Sequence, residues 1–416
     1  MAVPKLRFKE FDTNWSLSSL GKMTTYFKGY AFKSESYKDS GIRIIRVSDL
    51  GRESIKTDND SIYIEANNAS AYENWIIKKD DIIITTVGSK PHLVDSAVGR
   101  PIYVKNNNEG LLNQNLLVLR PIDETVDSYF IYAQLLDKKY LTHIELIQRG
   151  NANQSNITVK DLQDFETYIT SKKEQTKIAS FLSAVDEKIS QLTQKHQLLS
   201  QYKQGMMQKL FSQQIRFKAD DGSKFEEWVE ENILKIAYVS IGLVTTMTTN
   251  YREDGVPLIR NSDIKPNKIA GDKLIFLDPN FANSYENRKL KVNDIVTVHT
   301  GDVGVSSIIP KELNGAIGFA TINTRVINEK VSPYYLVWYF NSKKFINWCV
   351  NYSTGDGRQN LNLKDFNTAI IPLPCLAEQT KIAKFLSAID QKIEVTAQQI
   401  EQVKQWKKGL LQQMFV

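Results

Sequence analysis

The chain repeats itself, and that constrains its fold more than any other feature. Glu174-Gln175-Thr176-Lys177-Ile178-Ala179 returns as Glu378-Gln379-Thr380-Lys381-Ile382-Ala383. Between residues 174–189 and 378–393, 13 of 16 positions are identical at an offset of 204. Chance would give about one match, so one structural plan is used twice. The correspondence reaches upstream. Gly41-Ile42-Arg43-Ile44-Ile45-Arg46-Val47-Ser48-Asp49 mirrors Gly255-Val256-Pro257-Leu258-Ile259-Arg260-Asn261-Ser262-Asp263. Asn156-Ile157-Thr158-Val159-Lys160-Asp161 mirrors Asn360-Leu361-Asn362-Leu363-Lys364-Asp365, and Leu6-Arg7-Phe8-Lys9 before Trp15 mirrors Ile215-Arg216-Phe217-Lys218 before Trp228.

The layout is globular segment, helix, globular segment, helix, with divisions expected at 1–172, 173–213, 214–376 and 377–416. Residues 174–212 hold no proline. Steps of four and three from Ile178 give Leu182, Val185, Ile189, Leu192, His196, Leu199, Lys203, Met206 and Leu210. The second copy gives Ile382, Leu386, Ile389, Ile393, Thr396, Ile400, Val403, Lys407, Leu410 and Met414. Such a seam wants one long helical partner, and the copies offer each other. Each helix should be roughly 55 Å long. Antiparallel pairing is favoured, because it makes one chain pseudo-two-fold symmetric. Off the seam lie Phe181, Tyr202, Phe211, Phe385, Trp406, Leu411 and Phe415. They either cap the globular segments or form a stripe that docks a partner's helices.

Residues 14–170 and 225–375 read as mixed α/β. Apolar runs after Asp81 and Asp294 predict buried strands, and residues 127–146 and 332–350 predict aromatic-rich amphipathic helices. Each helix leads to a polar loop at an equivalent place: Arg149, Asn151, Asn153, Gln154 and Asn156 in one copy, Arg358, Gln359 and Asn360 in the other. Arginine, asparagine and glutamine suit bidentate bonds to guanine and adenine edges. The alternative is a solvated turn before a helix cap at Lys160 or Lys364. Arg46 and Ser48, and Arg260, Asn261 and Ser262, end apparent strands and either face DNA or merely turn the chain. Lys90 and His92 lie in one loop and His299 and Thr300 in its counterpart, a third matched pair whose glycines either serve the turn or shape a binding loop. Arg43, Lys90, Arg100 and Arg149 are candidate phosphate contacts.

Composition excludes several classes. The net charge of +6 permits a polyanionic partner without demanding one, and no Cys-x-x-Cys pair suggests a zinc module. No signal peptide or long apolar run is evident, so a cytoplasmic chain without membrane contact is expected. No Gly-x-x-x-x-Gly-Lys-Ser/Thr loop or Gly-x-Gly-x-x-Gly fingerprint occurs. Asp278-Pro279-Asn280-Phe281 faintly echoes an amino-methyltransferase loop but lacks its second proline. Asp186-Glu187-Lys188 echoes a nuclease set, yet it sits on the heptad helix and its copy loses the middle carboxylate. The four histidines, His92, His143, His196 and His299, show no metal spacing. The chain is expected to bind rather than react.

The duplicated Glu-Gln-Thr-Lys-Ile-Ala helix start, followed by Phe181-Leu182 and Phe385-Leu386, resembles the specificity subunits of type I restriction-modification systems. The Ile-Arg-x-Ser-Asp segments and the amide-rich loops before Lys-Asp resemble them too, over essentially the whole chain. The resemblance implies two target recognition domains, each reading half of an interrupted double-stranded DNA site. It implies that the long helices space them and dock two methyltransferase subunits, with restriction subunits adding in some complexes. It implies no cofactor in this chain: S-adenosylmethionine would sit on the methyltransferase, ATP and magnesium on a restriction partner.

Overall fold

A computed structural model describes residues 3–57, 59–91, 97–150, 154–271, 274–355 and 357–415. The chain divides into two compact units, residues 1–193 with 398–416, and residues 194–397. Each unit thus owns half of each long helix. Those helices run Lys172–Phe211 and Leu376–Met414.

The central antiparallel sheet and the entrance–exit ladder recur in both units, while the smaller sheets differ in strand number. In the first, an antiparallel sheet has the order Thr24–Lys28, Leu116–Pro121, Ile82–Thr85, Pro101–Tyr103. In the second the order is Ala237–Ile241, Thr321–Val326, Ile295–Val298, Ser306–Ile308. Ile82, Ile83 and Ile84 are fully buried, as the apolar run after Asp81 predicts. A smaller sheet lies beyond it. There Ile42–Ile45 pairs in parallel with Leu111–Leu112, and Val256–Arg260 with Ile317–Phe319. A two-stranded ladder joins the entrance and exit of each unit: Ser16–Ser19 with Glu166–Ile169, and Val229–Asn232 with Ile370–Leu373.

Each expected amphipathic helix is in fact two. Ser128–Gln134 is followed by Lys138–Ile147, and Pro333–Phe340 by Lys343–Tyr352. The break is chemical. Asp137 accepts a hydrogen bond from the Lys139 amide and Ser342 from the Phe345 amide, so each starts a new helix. Hydrophobic period alone hides such a restart. The aromatics are core, as their spacing predicts: Phe130, Tyr140, Tyr335 and Phe340 have no exposed surface.

Within each unit the helix halves run antiparallel. In the first, Arg7 grips Glu174 while Leu6 bonds the Gln413 carbonyl, so one helix start lies beside the other's end. Further along, Lys407 Nζ meets Asp186 Oδ1 at 2.5 Å. In the second, Arg216 grips Glu378 while Ile215 bonds the Lys209 carbonyl, and Lys203 Nζ meets Asp390 Oδ1 at 2.5 Å. Both seam lysines expected from the heptads are therefore matched to a carboxylate. Charged pairs inside a seam specify register at some cost in stability. Asp186 also accepts from the Tyr129 hydroxyl, which gives that carboxylate a packing role in place of any nuclease chemistry. Asp278 likewise caps a short helix, Pro279–Asn283, through the Asn280 and Phe281 amides.

The duplicated Glu-Gln pair explains its own repetition. Glu174 and Glu378 have no exposed surface. Arg7 Nε and Nη2 reach the Glu174 oxygens at 2.7 and 2.8 Å. Arg216 reaches Glu378 at 3.2 and 2.9 Å, joined by Trp228 Nε1 at 3.1 Å. The neighbouring amides tie down a loop. Gln175 accepts from the Asp127 amide and donates to the Thr125 and Thr170 carbonyls. Gln379 accepts from the Ser332 amide and donates to the Lys330 and Pro374 carbonyls.

Burial pushes the Glu174 carboxyl up, but the hydrogen bonds and charge of Arg7, with Thr170, outweigh it and hold the group below its ordinary value. A carboxylate depressed in the folded state stabilises fully above its unfolded value, about 4.3, and that stabilisation is lost as pH falls through the folded value. Glu174→Gln strands a largely buried guanidinium and should cost roughly 3 kcal/mol at neutral pH. Thermal melts from pH 7 to 3 should show a lower midpoint with a flatter acid slope. Parallel slopes for variant and parent would refute the clamp.

Candidate nucleic-acid interface

The end of the parallel strand in each unit is organised by one buried carboxylate. Asp263 accepts from the Arg260 amide and Nε, both at 2.9 Å, and from Arg260 Nη2 at 2.8 Å. Asp49 repeats this with Arg46 at 2.6, 3.0 and 3.2 Å. The hydrogen bond to its aspartate raises the pKa of each arginine, so both stay cationic and paired. Arg43 donates to the Lys56 carbonyl at 2.7 Å and to Asn59 Oδ1 at 3.1 Å. Arg43, Arg46 and Arg260 are therefore tied into their own turns, which leaves less of each guanidinium for a DNA contact. A guanidinium that satisfies a buried carboxylate is not spare charge.

In the second unit the three expected loops meet. Asn261 Oδ1 accepts from the His299 amide at 3.0 Å, and its Nδ2 donates to the Ala320 carbonyl at 3.3 Å. The Gly301 amide bonds the Gln359 carbonyl, and the Leu361 amide bonds the His299 carbonyl. Thr300 Oγ1 reaches Asn360 Oδ1 at 3.3 Å. The result is a depression of about 320 Å³ lined by Asn261, Ser262, Lys265, Thr300, Gly301, Asp302 and Arg358. Arg358, Ser262 and Lys265 are exposed, whereas Gln359 and Asn360 are half-buried. Burial lowers the His299 pKa, so the ring is neutral at pH 7. Lys364 is exposed on the short helix Leu363–Phe366 behind the loop.

In the first unit a three-stranded ribbon gathers the corresponding loops: Arg149–Gly150, Ser155–Asn156 and Val87–Gly88. Gln154, Asn156 and Lys160 are exposed. Arg149 is exposed and paired with Asp161 at 2.9 Å. Ser48 is exposed in the Arg46–Asp49 turn, Lys90 lies just past Val87–Gly88, and Lys90 and Arg100 are half-buried. His92, Asn151 and Asn153 lie outside the described residues.

Two contributors escaped the sequence reading. Lys265 sits past the capped turn, where nothing in its spacing distinguishes it from a surface lysine. The turn 113–115 enters through backbone pairing: the Asn113 amide bonds the Ile45 carbonyl, and the Thr86 amide bonds the Asn115 carbonyl. A polar triplet between Leu111-Leu112 and Leu116-Leu117 was the available signal.

The helix aromatics separate into two kinds. Phe211 packs on Tyr335 and Tyr339, and Phe415 on Trp15 and Phe130. Both are buried, which corrects their expected place on a docking stripe. Their position beside the helix ends turns them inward. Phe181 contacts Phe8 and Trp406, and Phe385 contacts Phe217 and Tyr202. In each unit this cluster ends in a half-exposed ring, Trp406 at 52% and Tyr202 at 51%.

No group of three or more histidine, cysteine or acidic side chains among the described residues is placed to hold a metal. No helix among them is long and apolar enough to cross a membrane. Cys349 is buried in the second core, which pushes its thiol up to about 12.

The family described as the type I restriction modification DNA specificity domain matches residues 12–201 and again 226–405. The chain is 26% identical to the type I restriction enzyme EcoBI specificity subunit of Escherichia coli, covering 89% of this chain and 78% of that one. It is 23% identical to the MjaVIII specificity subunit of Methanocaldococcus jannaschii, covering 81% and 78%. The fold matches the crystal structure of a type I restriction-modification S subunit from M. genitalium with a TM-score of 0.64, at 18% identity, over 100% of this chain and 99% of that one. Two complete copies of one domain, each carrying its loop cluster on the same sheets, place this chain in the type I restriction-modification specificity family.

Proposed function

We propose that each unit reads one half of a bipartite, interrupted site in double-stranded DNA. The loop cluster does the reading, and the long helices set the gap and dock two methyltransferase subunits. One observation carries this reading. The same loops converge at the same strand ends in both units, yet their side chains differ. Asn261 bridges two loops in the second unit where Val47 stands in the first. A shared scaffold with divergent polar tips is what two readers of unlike words require.

The chemistry belongs to partners. Adenine methylation would use S-adenosylmethionine on the methyltransferase subunits. ATP and magnesium would serve restriction subunits where these join the complex. The site of action is the cytoplasm. Because four of the expected arginines, Arg43, Arg46, Arg149 and Arg260, are paired internally, phosphate contacts rest on fewer cations, among them Lys265, Arg358, Lys160 and Lys364. Binding by the chain alone is therefore weak, with a shallow salt dependence, and grows with the partner. The half-exposed Trp406 and Tyr202 clusters are the docking surface, where an aromatic anchor beside charged helix positions suits a protein interface.

Exchanging residues 14–170 for another recognition domain should change one half of the methylated word and leave the other half intact, as read by sequencing modified adenines genome-wide. A change in both halves would refute modular reading. Trp406→Glu or Tyr202→Glu should weaken methyltransferase association at least 10-fold, about 1.4 kcal/mol, in titrations of the purified subunits. Unaltered affinity in both variants would assign these rings to packing alone.

A further inference from the structure

The turn that links the parallel strand to the central strand differs between the units in length as well as chemistry. Equivalent backbone bonds align them. The Tyr30 amide bonds the Leu112 carbonyl as the Leu243 amide bonds that of Gly318. The Gly29 amide bonds the Leu116 carbonyl as the Gly242 amide bonds that of Thr321. Between these anchors the first unit has Asn113-Gln114-Asn115, and the second has only Phe319-Ala320. The first turn is thus one residue longer and wholly amide-bearing.

We propose, resting on the reading above, that this turn is a base-reading element of the first unit, with Gln114 recognising an adenine edge in the major groove. Its place fits. The Asn113 amide bonds the Ile45 carbonyl at the end of the parallel strand, and the Asn115 carbonyl accepts from Thr86 beside the ribbon. The turn therefore sits between two of the loops that form the cluster. Its orientation is fixed as well. Asn113 Oδ1 accepts from the Gln114 amide at 2.6 Å, and the Gln114 amide also has the Tyr30 carbonyl at 2.9 Å. Asn115 takes a φ of 25°, a region that asparagine tolerates better than most residues. Tyr30 is itself held by Phe32, Tyr72 and Trp75, with ring centroids 5.0, 5.3 and 4.7 Å away.

Gln114 is exposed, and its side-chain amide has no hydrogen-bond partner among the described residues. A glutamine amide offers a donor and an acceptor at the spacing of adenine N7 and N6, a pairing no other base edge reproduces in the major groove. In the second unit the turn carries no amide side chain. Its Ala320 carbonyl is instead occupied by Asn261 Nδ2. The two units thus present amides from different loops, which directs them to different words.

The test is selection from a randomised double-stranded DNA library by the full chain assembled with its methyltransferase, comparing parent, Gln114→Ala and Gln114→Glu. The alanine variant should lose discrimination at one adenine position in one half of the word, by about 5- to 150-fold, with the other half unchanged. The glutamate variant keeps the side chain's size and accepts hydrogen bonds without donating them. It should move preference at that position toward cytosine, whose N4 amino group donates. An unaltered word from both variants overturns the inference, and so does an equal loss of affinity for every sequence, the mark of a phosphate contact. Should the alanine variant fail to assemble, the glutamate variant decides alone. A parent word without a gap sinks the bipartite reading itself, separately from the role of Gln114.

Discussion

Two carboxylates with no exposed surface, Glu174 and Glu378, hold this architecture together. Burying an ionised carboxylate is costly unless charge and hydrogen bonds answer it. Here the answer comes from segments distant in sequence: Arg7 for one, Arg216 and Trp228 for the other. Each clamp therefore fixes three things at once, namely the start of a long helix, the arm that precedes a recognition segment, and the end of the other helix beside it. The adjacent glutamine pins the loop leading to the first aromatic helix. That is why six consecutive residues recur unchanged while most of the chain between them has drifted.

The long helices were legible because their signal is periodic and sustained. Seam positions such as Leu182, Ile189, Leu386 and Ile389 are buried as the heptads require. Charged seam positions were legible as lysines but not as pairs. Heptad spacing gives a residue's face and not its partner, so Lys407 with Asp186 and Lys203 with Asp390 needed the fold. The aromatic helices were legible in content and wrong in number. Asp137 and Ser342 each open a helix by capping an amide, and a local hydrogen bond leaves no trace in hydrophobic period.

The loop cluster was half legible. Amide-rich loops at equivalent places in two copies marked segments that the fold brings together through backbone bonds. Residue type alone could not separate spare charge from committed charge. Arg46 and Arg260 look like ideal phosphate ligands, yet an aspartate three residues on binds the Nε–Nη2 edge of each guanidinium. The Arg-x-x-Asp spacing was the clue, since it is the reach of a side chain across one tight turn. The turn at 113–115 was missed for the opposite reason: it joins the cluster only through strand pairing between distant segments.

Commitment of those arginines has a consequence for specificity. Counterion release from phosphates rewards every sequence equally, so a reader with many free cations binds everything well. A cluster in which Arg46 and Arg260 are neutralised in place, and whose remaining tips are mostly amides and hydroxyls, gains less from the backbone and more from matching base edges. Weak intrinsic affinity then becomes useful. Two such readers carried on one chain add their discrimination, and the entropy of the second contact is already spent once the first is made. Discrimination over the whole word thus grows with the number of matched edges, while non-specific retention stays low. The duplicated clamp keeps both units on like scaffolds, and the turns that differ between them are where two unlike readings would have to be encoded.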